Sequence, residues 1–203
     1  MLRLLLGDKA YERVTTFGRR ELPLTNRKLS QRVIDFDRLA EVSDFPRVHD
    51  VFCCLGTTLR QAGSPAAFRQ VDFTYVLELA RVAARHRASQ FLLVSALGAD
   101  PHARVFYSRV KGEVEEAVKR VSFDAVYIFR PSLITGRRAA GRPAERIATL
   151  LSPLVSWAFV GPLRPFRPIR AETVARALVR AAGSSARGVH VYQSDAIARL
   201  ARR

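Results

Sequence analysis

Gln90-Phe-Leu-Leu-Val-Ser95, followed after one short loop by Tyr107-Ser-Arg-Val-Lys111, decides how this chain folds. The first segment is a short apolar run ending on a hydroxyl, the mark of a strand buried on both faces. The second lies in a stretch from Val105 to Val121. Its apolar residues Val105, Val110, Val114, Ala117, Val118 and Val121 recur at roughly helical spacing. A second apolar run, Ala125-Val-Tyr-Ile-Phe129, comes next and ends at Arg130-Pro131. Strand, helix, strand in this order predicts a parallel α/β unit. In open sheets of that kind, ligands bind outside the carboxyl ends of the strands, and Ser95 stands at such an end.

Tyr107 and Lys111 are one helical turn apart and project from the same face. A free phenol is a poor acid at neutral pH, with a reference pKa of about 10. An adjacent ammonium favours the phenolate, which lets the Tyr exchange a proton with a carbonyl or alcohol oxygen. The Ser95 hydroxyl is placed to donate a second hydrogen bond to that oxygen. Ser95, Tyr107 and Lys111 together suit hydride transfer between a nicotinamide cofactor and a carbonyl. A Tyr and a Lys on a solvated helix face is the plain alternative, and the strand that delivers Ser95 weighs against it.

Outward from this core, short apolar runs alternate with amphipathic helices. Strands are predicted at Arg13–Phe17, at Gln31–Ile34 with Asp35 after it, at Val51–Leu55 closed by Gly56, and at Val189–Tyr192. Helices are predicted over Phe68–His86, with Val71, Tyr75, Leu79 and Val82 along one side, and over Ala171–Ala182. Ser194 is placed to cap a last helix running to Leu200. No repeat and no linker divides the 203 residues, so a single domain over 1–203 is expected. Residues 137–170 form its irregular part. Arg142 to Pro168 holds five prolines and the only Trp, Trp157. An interfacial membrane segment, a substrate-covering loop and a partner surface are all compatible with its composition. Pro153 and Pro162 interrupt any long amphipathic helix and favour the loop.

Composition bounds the rest. At 48% apolar residues the chain is globular, and no run reaches the length of a membrane-spanning helix. Met1–Gly7 is too short for a signal-peptide core, so a cytoplasmic protein is expected. Cys53 and Cys54 are adjacent in an apolar run, where neighbours point to opposite faces, and neither belongs to a metal-ligand cluster. The net charge of +16 raises the question of a nucleic-acid partner. Thirty of the 34 basic residues are Arg, spread along the chain without forming a stripe, and no nucleic-acid motif is present. Nucleic acid is therefore not the expected partner.

A dinucleotide-binding domain opens with a strand, a Gly-rich turn and a helix. Here Met1–Leu6 reads instead as the end of a helix stopped at Gly7. Val14–Phe17 then takes the place of the second strand of the sheet. The expected fold is a Rossmann-like, doubly wound parallel sheet in three α/β/α layers with its first strand missing. Unpaired strand edges should flank the gap.

Several segments carry a family resemblance. They are Thr16-Phe-Gly-Arg-Arg20, Val33-Ile-Asp-Phe36, Asp50-Val-Phe-Cys-Cys-Leu-Gly-Thr-Thr58, Val71-Asp72 with Tyr75-Val-Leu77, Leu93-Val-Ser95 with Gly98-Ala-Asp100, Tyr107-Ser-Arg-Val-Lys-Gly-Glu-Val-Glu115, and Phe129-Arg-Pro131. In order and spacing they resemble the atypical short-chain dehydrogenase/reductases, in particular the HIV Tat-interacting protein 2-like oxidoreductases and their bacterial NAD(P)H-binding relatives. The resemblance covers roughly residues 1–140 and is looser beyond Arg142.

It implies roles at matching positions. Gly18, Arg19 and Arg20 follow the second strand, where basic residues pair with a 2′-phosphate, so NADP(H) is favoured over NAD(H). A pair of merely exposed arginines is the alternative. Asp35 and Phe36 stand where family members contact adenine. Leu55, Gly56 and Thr57 form the turn beside the ribose, Lys111 contacts the nicotinamide ribose, and Pro131 and Ser132 lie beside the nicotinamide. Ser95, Tyr107 and Lys111 are the implied catalytic set. Two functions follow: a reductase of a small carbonyl compound with Tyr107 as general acid, or an NADPH-sensing protein with little turnover that signals to a protein partner. The Tyr107 helix is a common pairing surface in the superfamily, so a homodimer is one implied assembly.

Overall fold

The computed structural model describes residues 1–136 and 166–202. Most of the proline-rich stretch singled out above, Arg142 to Pro168, lies outside them. Helix α1 (Leu2–Gly7) is followed by strands β1 (Val14–Gly18) and β2 (Leu29–Val33), which pair in parallel with Val14 opposite Leu29. A 3-10 turn (Phe36–Glu41) leads to β3 (Asp50–Cys53). Short helices α2 (Leu59–Ala62) and α3 (Pro65–Arg69) then run into a π turn (Gln70–Thr74) and helix α4 (Tyr75–Arg85). Strand β4 (Gln90–Val94), helix α5 (Phe106–Lys119) and strand β5 (Ala125–Arg130) complete the predicted unit. Two-residue strands β6 (Ile134–Thr135) and β7 (Ile169–Arg170) pair with each other. Helix α6 (Ala171–Ala182), strand β8 (Gly188–Gln193) and helix α7 (Ser194–Leu200) end the described chain.

The main sheet is parallel in the order β3-β4-β5-β8. Its inner strands β4 and β5 are apolar on both faces because both faces are covered by helices, whereas the edge strand β8 leaves Val189 and Val191 exposed. On one face Val76, Leu79 and Val82 of α4 and Val114 and Val118 of α5 pack over Phe91, Leu93 and Ile128. On the other, Val174 and Leu178 of α6 and Ile197 of α7 pack over Leu92, Tyr127 and Phe129. This is the expected three-layer Rossmann-like arrangement.

The first two strands stand apart from that sheet. The Val14 amide donates to Lys28 O, and the Ile34 amide to Gly18 O. Val14, Thr16 and Gly18 thus address β2, and the backbone groups of Thr15 and Phe17 turn the other way. On β3 the Gln90 amide donates to His49 O, which turns the backbone of Asp50 and Phe52 outward. No backbone ladder joins β1 to β3 among the described residues. Side chains bridge them instead. Tyr11 donates to Asp50 Oδ2 at 2.7 Å and meets Phe52 edge-on at 6.1 Å, while Phe17 stacks on Phe45 at 5.1 Å. The unpaired edges of β1 and β3 agree with the strand edges expected to lack partners.

Three local expectations change. The strand expected over Val51–Leu55 runs from Asp50 to Cys53, so Cys54 and Leu55 lie beyond it, before Gly56. The helix expected over Phe68–His86 contains a π turn, whose wider winding rotates the residues on either side relative to one another. Ser194 is not a cap. It is the first residue of α7, and its hydroxyl donates to Ser132 Oγ at 3.1 Å, a partner offered by the β5–β6 loop.

Candidate functional site

The site forms where α5 crosses the carboxyl ends of β3, β4 and β5. What seats α5 so close is Gly112. A Cβ there would come within 2.2 Å of the backbone of Asp100 and Pro101, so only Gly admits the loop after β4. The same loop is pinned by the Asp100 amide to Ser108 O and by the Leu97 amide to Pro131 O. Tyr107, Lys111 and Glu115 then form one stripe, each a turn from the next, along the helix face turned to the sheet.

Lys111 is buried, at 5% exposure, and its ammonium pairs with Asp72 Oδ1 at 2.7 Å. Asp72 is fully buried and rides on the π turn. Its other oxygen accepts the Thr57 amide at 2.8 Å, which ties the turn after β3 to the same pair. A Cβ at Gly56 would sit 3.2 Å from Asp72 Oδ1 and 3.6 Å from the Lys111 ammonium. Gly56 is exposed, so its bare backbone opens the Lys111 end of the site to a ligand. The Tyr107 ring packs on Phe68 at 5.5 Å. Burial raises the Tyr107 phenol above its ordinary value; Lys111 pulls it down and Asp72 pushes it up again. The sequence predicts the opposite net direction. It does not reveal that the ammonium is shared with a buried carboxylate.

Ser95 is also buried, and its hydroxyl donates to Glu115 Oε1 at 2.5 Å. Glu115 is wholly buried and takes a two-pronged contact from Arg130, from Nε at 3.1 Å and from a terminal nitrogen at 2.5 Å. A hydroxyl has one proton to donate, and this one is given to Glu115. Pro131 is buried behind the site. The Ser132 hydroxyl donates to Arg167 O and accepts from Ser194, so it fastens loops together. Cys53 is core, its thiol pushed up to about 12 by burial, and is unreactive there; Cys54 is exposed.

The remaining predicted residues sit around β1 and β2. A small pocket of about 90 Å³ is lined by Gly18, Arg20 and Gln31 among others. Arg19 and Arg20 are exposed and make no ion pair among the described residues. Asp35 caps the 3-10 turn by accepting the Asp37 amide at 3.0 Å. The Phe36 ring is buried against Tyr75 at 5.6 Å, which leaves only its backbone for a ligand. Sequence reasoning missed Asp72 and Glu115 as members of the site. For Glu115 a signal was present, since it continues the i, i+4 stripe of Tyr107 and Lys111. For Asp72 there was none, because the π turn that throws it inward has no sequence signature here.

No family model matches the chain. A curated search finds the protein HTATIP2 of Rattus norvegicus, 40% identical over 152 residues, which cover 73% of this chain and 62% of that protein. The chain therefore spans less than two thirds of that relative's length. It also finds "Protein fmp52, mitochondrial" of Aspergillus niger, 33% identical over 188 residues, which cover 89% of this chain and 80% of the relative. Other fungal relatives carry the same mitochondrial name, which overturns the expectation of a cytoplasmic protein. Among solved structures, MoeE5 in complex with UDP-glucose and NAD matches with a TM-score of 0.68 at 14% identity, over 94% of this chain and 69% of that one. At that identity the likeness concerns the fold. No described helix is long and apolar enough to cross a membrane.

Proposed function

Because this chain belongs to the atypical short-chain dehydrogenase/reductase family that includes HTATIP2 and fmp52, we propose that it binds a nicotinamide dinucleotide and reduces a small carbonyl compound, with Tyr107 as general acid. One observation carries this reading: a half-buried Tyr107 and a buried Lys111 share the helix face beside an open glycine turn at the carboxyl ends of the parallel strands. Gly56 leaves room for a ribose beside Lys111, whose ammonium has protons to offer its hydroxyls. The dinucleotide supplies the hydride. Tyr107 supplies the proton to the carbonyl oxygen, so that carbonyl, hydride and proton give the alcohol. A phenol raised by burial is protonated at neutral pH, which is the form that reduction needs. Arg19 and Arg20, exposed and without an ion pair among the described residues, favour NADP(H) through its 2′-phosphate. The mitochondrion is the compartment that the fungal relatives' names suggest.

A second reading rests on Ser95. Its only proton is held by Glu115, so the carbonyl would have Tyr107 as sole donor. That favours an NADPH-sensing protein with little turnover over an efficient reductase. Titration of the chain with NADPH and NADH at moderate salt tests what the readings share, and Tyr107→Phe separates them. A reductase loses turnover and keeps its dinucleotide affinity. A sensor keeps both its affinity and its weak basal rate. Failure to bind either dinucleotide would remove both readings.

A further inference from the structure

We propose that Asp72 is a positioning residue, which holds the Lys111 ammonium against the turn after β3 and thereby sets how much of that charge reaches Tyr107. The proposal rests on the reading of Tyr107 and Lys111 as the working pair, and its test does not need a cofactor. Three observations carry it. The Asp72 carboxylate is fully buried, with one oxygen on Lys111 at 2.7 Å and the other on the Thr57 amide at 2.8 Å. Gly56 is held against both charges, since a Cβ there would lie 3.2 Å from Asp72 and 3.6 Å from Lys111. And Asp72 is placed there by a π turn, an interruption of helical winding that recurs at functional sites.

The charge balance follows. A buried carboxylate needs a partner, and Lys111 is the cation it has. Drawn onto Asp72, the ammonium acts on Tyr107 as one half of a dipole. The other charged and titratable groups packed around the pair do not compete for it. Cys53 on β3 is a buried neutral thiol. Glu115 on α5 and Arg130 on β5 are paired with each other. Thr57 brings only its amide. Asp72 is therefore the group that decides whether Lys111 serves Tyr107 or the turn. A dinucleotide whose ribose takes up the Lys111 protons would enter in competition with Asp72, at the exposed Gly56 turn.

The test is alkaline titration of the phenol absorbance, with the Tyr107→Phe chain subtracted to isolate Tyr107. In Asp72→Asn the Tyr107 midpoint should move to lower pH by about one unit, the size expected when a neighbouring ammonium is no longer neutralised. In the Lys111→Met background the same exchange should move it by less than half as much, because a carboxylate buried without its cation does not keep a full charge to act on Tyr107. An unchanged midpoint in Asp72→Asn, or an equal shift in both backgrounds, would overturn the proposal. If Asp72→Asn does not fold, the unsubstituted chain still decides. Nitrogen-15 NMR should show a slowly exchanging Lys111 ammonium, and a Lys111 signal exchanging as fast as those of Lys9 and Lys119 would overturn it. A chain that shows the shift and yet binds neither NADPH nor NADH retains this inference and loses the functional one.

Discussion

The two halves of the parallel architecture treat charge in opposite ways. Around β3, β4 and β5 the charged groups of the site are matched: buried Lys111 with buried Asp72, half-buried Arg130 with buried Glu115, and Ser95 joined to the second pair. Around β1 and β2, Arg32 is paired with Asp44, but Arg19 and Arg20 are exposed and make no ion pair among the described residues. Burial makes an unmatched charge expensive, so the four-stranded half can hold its groups only as a closed network. Exposure makes an unmatched charge cheap, so the two-stranded half can keep cations free for an incoming anion. On the proposed function, one half would serve a proton and the other a phosphate.

This contrast can be broken at either end. The largest effect should come from Glu115→Leu, which strands the Arg130 charge and frees the Ser95 hydroxyl. We expect a loss of about 3–4 kcal/mol, measured by urea denaturation. If the loss is under 1 kcal/mol, the buried network contributes little and the contrast fails. Gly112→Ala should cost about 2–3 kcal/mol, since the new methyl meets backbone at Asp100 and Pro101 that has no rotamer to give. Next comes the double change Arg19→Ala with Arg20→Ala. It should weaken NADPH about tenfold or more, leave NADH nearly unaffected and leave the urea midpoint in place. An equal loss for both dinucleotides would remove the 2′-phosphate from the argument.

The smallest effect concerns the contact between the halves. Burial raises the Asp50 carboxyl above its ordinary value, against the opposing hydrogen bond from Tyr11. The folded chain thus binds this proton more tightly than the unfolded chain. Stability from this group is present at low pH and is lost as pH rises from the ordinary carboxyl range through the raised folded value. Asp50→Asn keeps an acceptor for Tyr11 and removes the charge. It should stabilise the chain at pH 7 by about 1 kcal/mol or less, with the gain vanishing at the acid end of a thermal-melt series. A loss at pH 7 would show that the charge itself, and not the hydrogen bond, holds the halves together.

The four-stranded half was legible in the sequence because its physics is periodic. Gln90–Val94 and Ala171–Ala182 fall where the apolar pattern places them, since each element buries a whole face. The split of β1–β2 from the rest was legible too, from the absence of an opening strand and Gly-rich turn before Val14. What stayed hidden was pairing. A sequence shows that Lys111 and Asp72 exist, but not that a π turn brings them to 2.7 Å. It shows a Ser at a strand end, but not that Glu115, 20 residues further along the chain, accepts its hydrogen bond. The direction of the Tyr107 shift depended first on burial of the phenol and only then on Lys111 and Asp72, and so was misread.

The π turn at Gln70–Thr74 has a consequence for how such a site can be lost. It is equivalent to one extra residue in an otherwise ordinary helix, and each residue advances a helix by about 100°. Deleting a single residue there would restore even winding. The helix would remain, and so would the apolar stripe that docks α4. Asp72 would swing off Lys111, and the turn at Thr57 would lose its anchor. A single in-frame codon deletion therefore separates folding from chemistry here, so the fold can outlive its site within a lineage.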